Sequence, residues 1–142
     1  MLVALRKINM KSAVFMAICF YSLTITIHVL IITGLIPFTW VNGGRSESIS
    51  AQLPISIINI VISIFGGFFT LIAGGNIRTK YKRAITVICW IFVVLWSFGF
   101  IQQLLGTPFE KMVMSLILLL GVISNMRMAI EKRSAINTII KT

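Results

Sequence analysis

Residues 55–75 read ISIINIVISIFGGFFTLIAGG and contain no Lys, Arg, Asp or Glu. An α-helix needs roughly 20 apolar residues to cross about 30 Å of hydrocarbon, so this stretch is long enough to span a membrane. Two further stretches without these charged residues, 13–36 and 84–105, satisfy the same condition. The sequence therefore predicts at least three transmembrane helices.

The last apolar stretch, 112–130, is interrupted by Arg127. A long basic side chain near a helix end can place its charge at the headgroup layer while its methylene groups stay in hydrocarbon. We expect Arg127 to do this at one membrane surface and Lys111 at the other, so that the stretch is long enough to span. The sequence thus predicts an all-α integral membrane protein with a single domain over 1–142, in which four transmembrane helices form an up-and-down antiparallel bundle.

Eleven of the thirteen Lys and Arg residues would face one side of a membrane in this topology. Basic residues are enriched in cytoplasmic loops, so that side is predicted to be cytoplasmic and to hold both termini. Arg45 and Lys111 fall on the other side, and we expect the nearby acids Glu47 and Glu110 to offset their charges. The predicted cytoplasmic cations are Arg6, Lys7, Lys11, Arg78, Lys80, Lys82, Arg83, Arg127, Lys132, Arg133 and Lys141.

The formal net charge of +10 raises the question of a nucleic-acid partner. The cations are divided among three membrane-flanking segments and do not line one groove or helix, so we predict no nucleic-acid binding. Their positions instead predict attraction to anionic lipid at the cytoplasmic face, at up to roughly 1 kcal/mol per cation, with a specific acidic partner as the alternative. The Ile- and Lys-rich, Asp-free composition is typical of AT-rich bacterial genomes, which predicts a location in a bacterial cell membrane.

Small and polar residues within 55–75 recur at alternating steps of three and four, which places them on one helical face. Helices in lipid associate through small residues that admit a neighbouring backbone and through interhelical hydrogen bonds. We predict that this face packs against the rest of the bundle; a substrate path along it is the alternative. Its members are Ser56, Asn59, Ser63, Gly66, Thr70 and Ala73.

His28 is the only histidine, and it lies in the outer half of the first predicted span with Thr24 one turn earlier. A buried imidazole or amide without a partner costs several kcal/mol, so the polar groups at this depth should face one another or a small water-filled cavity. In a structural interpretation, neutral His28 donates one hydrogen bond, accepts another and fixes the helix register. In a functional one, it marks a proton or substrate site. The candidate polar site comprises His28, Thr24, Asn59, Ser63, Gln102 and Gln103.

The loop between the first two spans contains WVNGGRSE at 40–47. Trp40 suits the headgroup interface, and Asn42-Gly43 predicts a tight turn because both residues accept a positive φ. A turn that also anchors the loop explains this segment, and Glu47 then neutralises Arg45. The alternative is a binding surface above the His28 cluster, formed by Trp40, Asn42, Arg45 and Glu47.

The chain has no Asp, three Glu and one His, so paired intramembrane carboxylates and multi-histidine metal sites cannot form within one copy. We predict no catalytic residue, no metal and no cofactor, and a protein that is not an enzyme. The first hypothesis is a non-catalytic accessory or regulatory protein that acts through helix-helix contacts with another membrane protein or with itself. The alternative is a homo-oligomeric transporter or channel subunit with its polar site around His28.

Overall fold

The computed structural model describes residues 2–75 and 81–131, and its regular structure over those ranges is entirely helical. A short α1, Leu2–Lys7, precedes α2, Met10–Ile32; α3 is Ile49–Ala73 and α4 is Lys82–Leu104. Helix α5 begins as a π-helical turn, Glu110–Met114, and continues as Ser115–Ala129. The predicted cytoplasmic residues Arg78, Lys80, Lys132, Arg133 and Lys141 lie outside the described residues.

Four of these helices, α2 to α5, are long and apolar enough to cross a membrane. The all-α fold class and the four long apolar helices are therefore confirmed, and their length and composition indicate a multi-pass membrane protein. The connection from α2 to α3 contacts the start of α5, because Gly43 and Glu110 are hydrogen-bonded. The connection from α2 to α3 and the connection from α4 to α5 thus lie at the same end of an up-and-down bundle, and this end is here called the loop end.

Helix α2 ends four residues earlier than predicted, at Ile32 in place of residue 36. Gly34 has a φ of 77°, a left-handed conformation that stops the helix, and its N–H donates to the Ile31 carbonyl at 3.1 Å. Glycine reaches this conformation without steric cost and is common just after a helix.

Helix α3 begins at Ile49, well before the predicted residue 55. The prediction took Pro54 as the limit of the loop, but the helix is started by Ser48, whose Oγ accepts a hydrogen bond from Ala51 N at 3.2 Å. A serine at this position satisfies one of the free N–H groups of the first turn. Pro54 therefore lies inside the helix.

The helices do not all pack in chain order. Helix α2 packs closely against α3 and α5, and α5 packs against α4, whereas α3 and α4 touch at few residues. In an up-and-down bundle with short connections, each helix is expected to pack against the next one along the chain. This is wrong for α3 and α4, because α4 packs mainly against α5. This arrangement leaves a cavity between the four helices toward the loop end.

The predicted packing face of α3 is confirmed. Ser56, Ser63, Thr70 and Ala73 are buried, and Asn59 is half-buried. Gly66 lies against the ring of Tyr21 so closely that any Cβ added there would overlap it. The opposite face of α3 is exposed and apolar, as lipid contact requires; it includes Ile57, Ile58, Val61, Ile64, Phe65 and Phe68.

A buried polar network joins three helices in the middle of the bundle. Trp96 Nε1 on α4 donates to Tyr21 Oη on α2 at 3.3 Å. The same oxygen lies 3.4 Å from Nδ2 of Asn125 on α5, and that amide also donates to the Gly121 carbonyl at 2.8 Å. Such interhelical hydrogen bonds supplement packing where lipid provides no hydrophobic drive for association.

The Arg127 side chain is buried within the bundle. Its Nε donates to the Ile8 carbonyl at 2.8 Å, and Nη1 pairs with Glu131 at 2.5 Å. A carbonyl just after α1 and a carboxylate one turn later thus each accept one N–H of the guanidinium. The position of this charge at the headgroup layer stays a prediction. This ion pair is the only one within residues 2–75 and 81–131.

Candidate polar cavity at the loop end

A cavity of about 230 Å³, here called the inner cavity, lies between α2, α3, α4 and α5 at the loop end. His28 contributes from α2 and lies one turn before the end of that helix. The other helices contribute amides, an aromatic ring and a carboxylate. The residues that determine its chemistry are His28, Gln52, Asn59, Trp96, Gln103 and Glu110.

Five of the six residues predicted for the polar site line this cavity: Thr24, His28, Asn59, Gln102 and Gln103. The structure therefore brings these five groups to one cavity, and their common depth in a membrane stays a prediction. Ser63 is buried one turn further along α3 and is not among the lining residues. Two of the five bond to their own helix, since Thr24 Oγ1 donates to the Phe20 carbonyl and Asn59 Nδ2 to the Ile55 carbonyl, each at 2.9 Å.

His28 is 6% exposed, yet its Nδ1 has no hydrogen-bond partner among the described residues. Gln103 Oε1, on the facing helix α4, is also buried without a partner. The interpretation in which His28 donates one bond and accepts another is therefore wrong for Nδ1. Buried polar atoms in proteins are nearly always hydrogen-bonded, so these two atoms are exceptions, and both belong to side chains that line the cavity.

Glu110 is 2% exposed and has no basic partner among the described residues. Its carboxylate accepts hydrogen bonds from Thr107 N at 2.7 Å and from Gly43 N at 3.0 Å. Glu110 therefore forms no ion pair with Lys111 within the described residues, because the acid is turned inward to backbone N–H groups. Thr107 Oγ1 in turn accepts from Glu110 N at 3.3 Å, which completes a reciprocal cap at the start of α5.

This cap has a sequence signal that our sequence analysis did not use. Residues 107–110 read TPFE, a threonine followed three positions later by a glutamate, with Pro108 at the first position of the helix. That spacing is typical of a helix N-terminus in which the acid bonds back to the threonine N–H. It predicts that Glu110 is held by α5 and is not free to pair with Lys111.

Gln52 is a second residue that the sequence analysis missed. It is 1% exposed, lines the inner cavity, and connects it to the loop by a chain of hydrogen bonds. Asn42 Nδ2 donates to Ser46 Oγ at 3.4 Å, Ser46 Oγ donates to Gln52 Oε1 at 2.6 Å, and Gln52 Nε2 donates to Ser56 Oγ at 3.4 Å. Gln52 precedes Pro54, so the predicted span that began at 55 excluded it.

The loop adopts the tight turn that Asn42-Gly43 predicted. Asn42, Gly43 and Gly44 have φ values of 55°, 66° and 69°, a run of left-handed residues that glycine and asparagine tolerate best. The turn is held against α5, because Thr107 Oγ1 donates to the Trp40 carbonyl. Trp40 is 50% exposed and packs its ring on Phe109 with centroids 5.7 Å apart.

Arg45 lines a second cavity of about 260 Å³, here called the outer cavity. This cavity shares Asn42, Gln102, Gln103 and Glu110 with the inner one, so the two are adjacent. Glu47 is exposed, lines neither cavity and forms no ion pair with Arg45 within the described residues. The expected neutralisation of Arg45 by Glu47 is therefore wrong, and the guanidinium is available at the outer cavity.

Aromatic packing closes the inner cavity on the side away from the loop. Trp96 lines the cavity, and beyond it Phe20 packs edge-on at a centroid distance of 5.0 Å while Phe92 stacks at 6.2 Å. Tyr21 completes this layer at 4.7 Å from Phe20. The polar lining is therefore continuous with the loop end and separated from the opposite end of the bundle.

The chain matches no protein-family model, and comparisons with curated proteins and with solved structures give no match. The site is therefore interpreted from its own geometry. It offers hydrogen-bond donors and acceptors on four helices, one carboxylate held by backbone N–H groups and one cation in the adjacent cavity. This combination is suited to recognising a small polar molecule.

Proposed function

We propose that the chain is a small multi-pass membrane protein that recognises a small polar solute in the inner cavity. The observation that carries this proposal is that two side chains on different helices, His28 and Gln103, line one cavity and each has a buried polar atom without a partner among the described residues. An unsatisfied buried polar atom costs about 1–3 kcal/mol, and a solute toward which these side chains turned would remove that cost. Polar groups placed inside a helical bundle at this expense are typical of ligand sites in membrane proteins.

The dimensions of the cavity support a small solute. A volume of about 230 Å³ is below the roughly 300 to 1,000 Å³ that is usual for pockets that hold drug-sized ligands. The adjacent outer cavity adds room toward the loop end and carries the one cation among its lining residues, Arg45. A solute would therefore enter past the loop and be held by the amides and the carboxylate further in.

We further propose that the loop end is the extracytoplasmic side, with both termini in the cytoplasm. Arg6, Lys7 and Lys11 lie before or at the start of α2, and Lys82 and Arg83 lie at the start of α4, all at the end opposite the loop. The enrichment of basic residues in cytoplasmic segments supports this orientation, and anionic lipid would then contact the same end. The solute would reach the cavity from outside the cell.

Transport by a homo-oligomer is the second candidate, and the position of the cavity within candidate membrane spans favours it. The aromatic layer of Phe20, Tyr21, Phe92 and Trp96 closes the path in this conformation, so flux through one chain would require that layer to separate. An accessory role through helix-helix contacts is a weaker proposal, because the exposed apolar faces of α3 and α4 fit lipid as well as a partner helix.

Ligand-induced stabilisation tests the proposed recognition. The protein is reconstituted in nanodiscs and its thermal unfolding is followed with a panel of small polar solutes. At least one solute should raise the unfolding temperature, and His28→Phe, which fills the cavity with an apolar ring, should abolish the shift. Thr26→Val is the matched control, because Thr26 is exposed on the same helix and bonds only to the Ser22 carbonyl. The same shift in His28→Phe and in the original protein would contradict the proposal.

The transport candidate has a separate test. Liposomes that contain the protein are loaded with a pH indicator and exposed to the solute that stabilises it. His28→Ala should abolish a solute-coupled flux while Thr26→Val retains it. Binding without any flux in the original protein would remove the transport candidate and leave recognition in place.

A further inference from the structure

The inner and outer cavities together carry one acidic and one basic side chain among their lining residues. Glu110 lines both cavities, whereas Arg45 lines only the outer one. The remaining polar lining consists of amides, a threonine hydroxyl, backbone groups and the imidazole of His28. The inner cavity therefore carries an acid without a base, whereas the outer cavity carries both Glu110 and Arg45.

The inner cavity favours a group that donates hydrogen bonds. Glu110 uses its carboxylate for two backbone N–H groups, which leaves lone pairs unused, and Gln103 Oε1 has no donor among the described residues. The ring of Trp96 lines the same space, and aromatic faces attract cations. An ammonium group suits all three, whereas an anion here would be repelled by the Glu110 carboxylate, because Arg45 does not line the inner cavity and cannot offset that charge.

The outer cavity favours an anionic group. The Arg45 side chain is exposed, lies beside Gly43 and forms no ion pair within residues 2–75 and 81–131. A guanidinium presents several N–H donors in a planar arrangement that matches a carboxylate or a phosphate. A ligand that carried only positive charge would be repelled at this position.

We propose that the solute is a small zwitterion, with its ammonium group in the inner cavity near Glu110 and its carboxylate or phosphate in the outer cavity near Arg45. This inference rests on the proposed function and names the chemical class of the ligand. The same chemistry is present in a free zwitterion and in the headgroup of a zwitterionic phospholipid with an amino group. The site lies at the loop end of candidate membrane spans, where either source can reach it.

Calorimetric titration tests the proposal by comparing a zwitterionic probe with two smaller compounds, here called its halves, each of which carries only one of its two charged groups. The probe is sn-glycero-3-phosphoethanolamine, and the halves are ethanolamine, which has only the ammonium, and glycerol 3-phosphate, which has only the anion. The protein is held in nanodiscs of phosphatidylglycerol alone. We expect the zwitterion to bind at least about tenfold more tightly than either half, as the loss of one charged hydrogen-bonding group predicts.

Variants that each remove one charged side chain test which residue binds which charged group of the probe. Arg45→Gln should weaken binding of the zwitterion by about tenfold and leave that of ethanolamine unchanged. Glu110→Gln should weaken ethanolamine and leave glycerol 3-phosphate unchanged or stronger. Lys111→Gln is the control, because Lys111 is exposed near Glu110 and lines neither cavity. If Glu110→Gln does not fold, Arg45→Gln and Arg45→Glu carry the test, since position 45 is exposed.

A second lipid composition distinguishes the two sources. In nanodiscs that contain phosphatidylethanolamine, a lipid headgroup in the site would reduce the apparent affinity for the soluble probe, whereas a site for free zwitterions would be unaffected. Either result supports the proposal. Equal binding of the zwitterion and its halves, no effect of Arg45→Gln, or no binding of the probe in either disc would overturn it. If uncharged solutes still stabilise the protein and His28→Phe abolishes that effect, the proposed function stands without the zwitterion.

Discussion

The Glu110 carboxylate accepts a hydrogen bond from the backbone N–H of Gly43 at 3.0 Å and so joins the start of α5 to the loop between α2 and α3. The acid is 2% exposed, and its other contact is the N–H of Thr107 at 2.7 Å. One side chain therefore caps a helix, anchors the left-handed turn and lines both cavities. Glu110 is therefore expected to contribute both to the stability of the fold and to the proposed recognition of a solute.

Replacing Glu110 by Ala should destabilise the protein. Two partly buried backbone N–H groups, of Gly43 and Thr107, lose their acceptor, and the loss should be at most the roughly 1–3 kcal/mol that a fully buried unpaired donor costs. Reversible unfolding in mixed micelles, followed by circular dichroism, measures the change. Glu47→Ala serves as the control, because Glu47 is exposed and lines neither cavity. Equal stabilities of the two variants would show that the Glu110 bonds contribute nothing.

Gly66→Ala should destabilise the protein much more than Gly67→Ala does. A Cβ at position 66 would overlap the ring of Tyr21, whereas at position 67 the nearest atom is Tyr21 Cβ at an ordinary 3.7 Å. Overpacking a tight contact costs roughly 1–3 kcal/mol, so only the first variant should lose that much. The same unfolding assay makes the comparison. Similar losses at both positions would place the close contact between α2 and α3 elsewhere.

Tyr21→Phe should lower stability by an amount typical of an interhelical hydrogen bond in a membrane protein, about 0.6 kcal/mol and at most near 1.7 kcal/mol. The phenol oxygen is shared by Trp96 and Asn125, so its removal affects both partners. A double-mutant cycle with Trp96→Phe isolates the bond between positions 21 and 96. Strict additivity of the two single changes would exclude an energetic link between them.

The proposed orientation predicts opposite labelling of the two ends of the bundle. Single cysteines at Arg45 and Arg83 are introduced after Cys19 and Cys89 have been replaced by serine. In intact cells, a membrane-impermeant maleimide should label position 45 and should reach position 83 only after permeabilisation. The reverse pattern would invert the topology and place the entrance of the cavity in the cytoplasm.

Periodicity and hydropathy alone were enough to predict four long apolar helices, the buried face of α3 and the grouping of His28, Asn59 and Gln103. These properties follow from the spacing of residues along each helix, which the sequence contains. The weak contact between α3 and α4 could not be predicted in this way, because short connections fix the chain order of the helices but not the helix against which each one packs.

The contacts of the charged residues could not be predicted from the sequence, for one physical reason. Glu47 was expected to neutralise Arg45, and Glu110 to offset the charge of Lys111, because each acid is close along the chain. Adjacent residues on a helix point in different directions, and a buried carboxylate is satisfied as well by backbone N–H groups as by a cation. Arg127 likewise bonds to a main-chain carbonyl of a distant segment, which no local pattern predicts.

The bond from Arg127 to Ile8 ends on a main-chain oxygen, so it is independent of which side chain occupies position 8. Deletion of residues 1–8 would remove this acceptor and leave the buried guanidinium with Glu131. Shortened versions of the chain are therefore expected to lose stability where α5 meets the segment after α1.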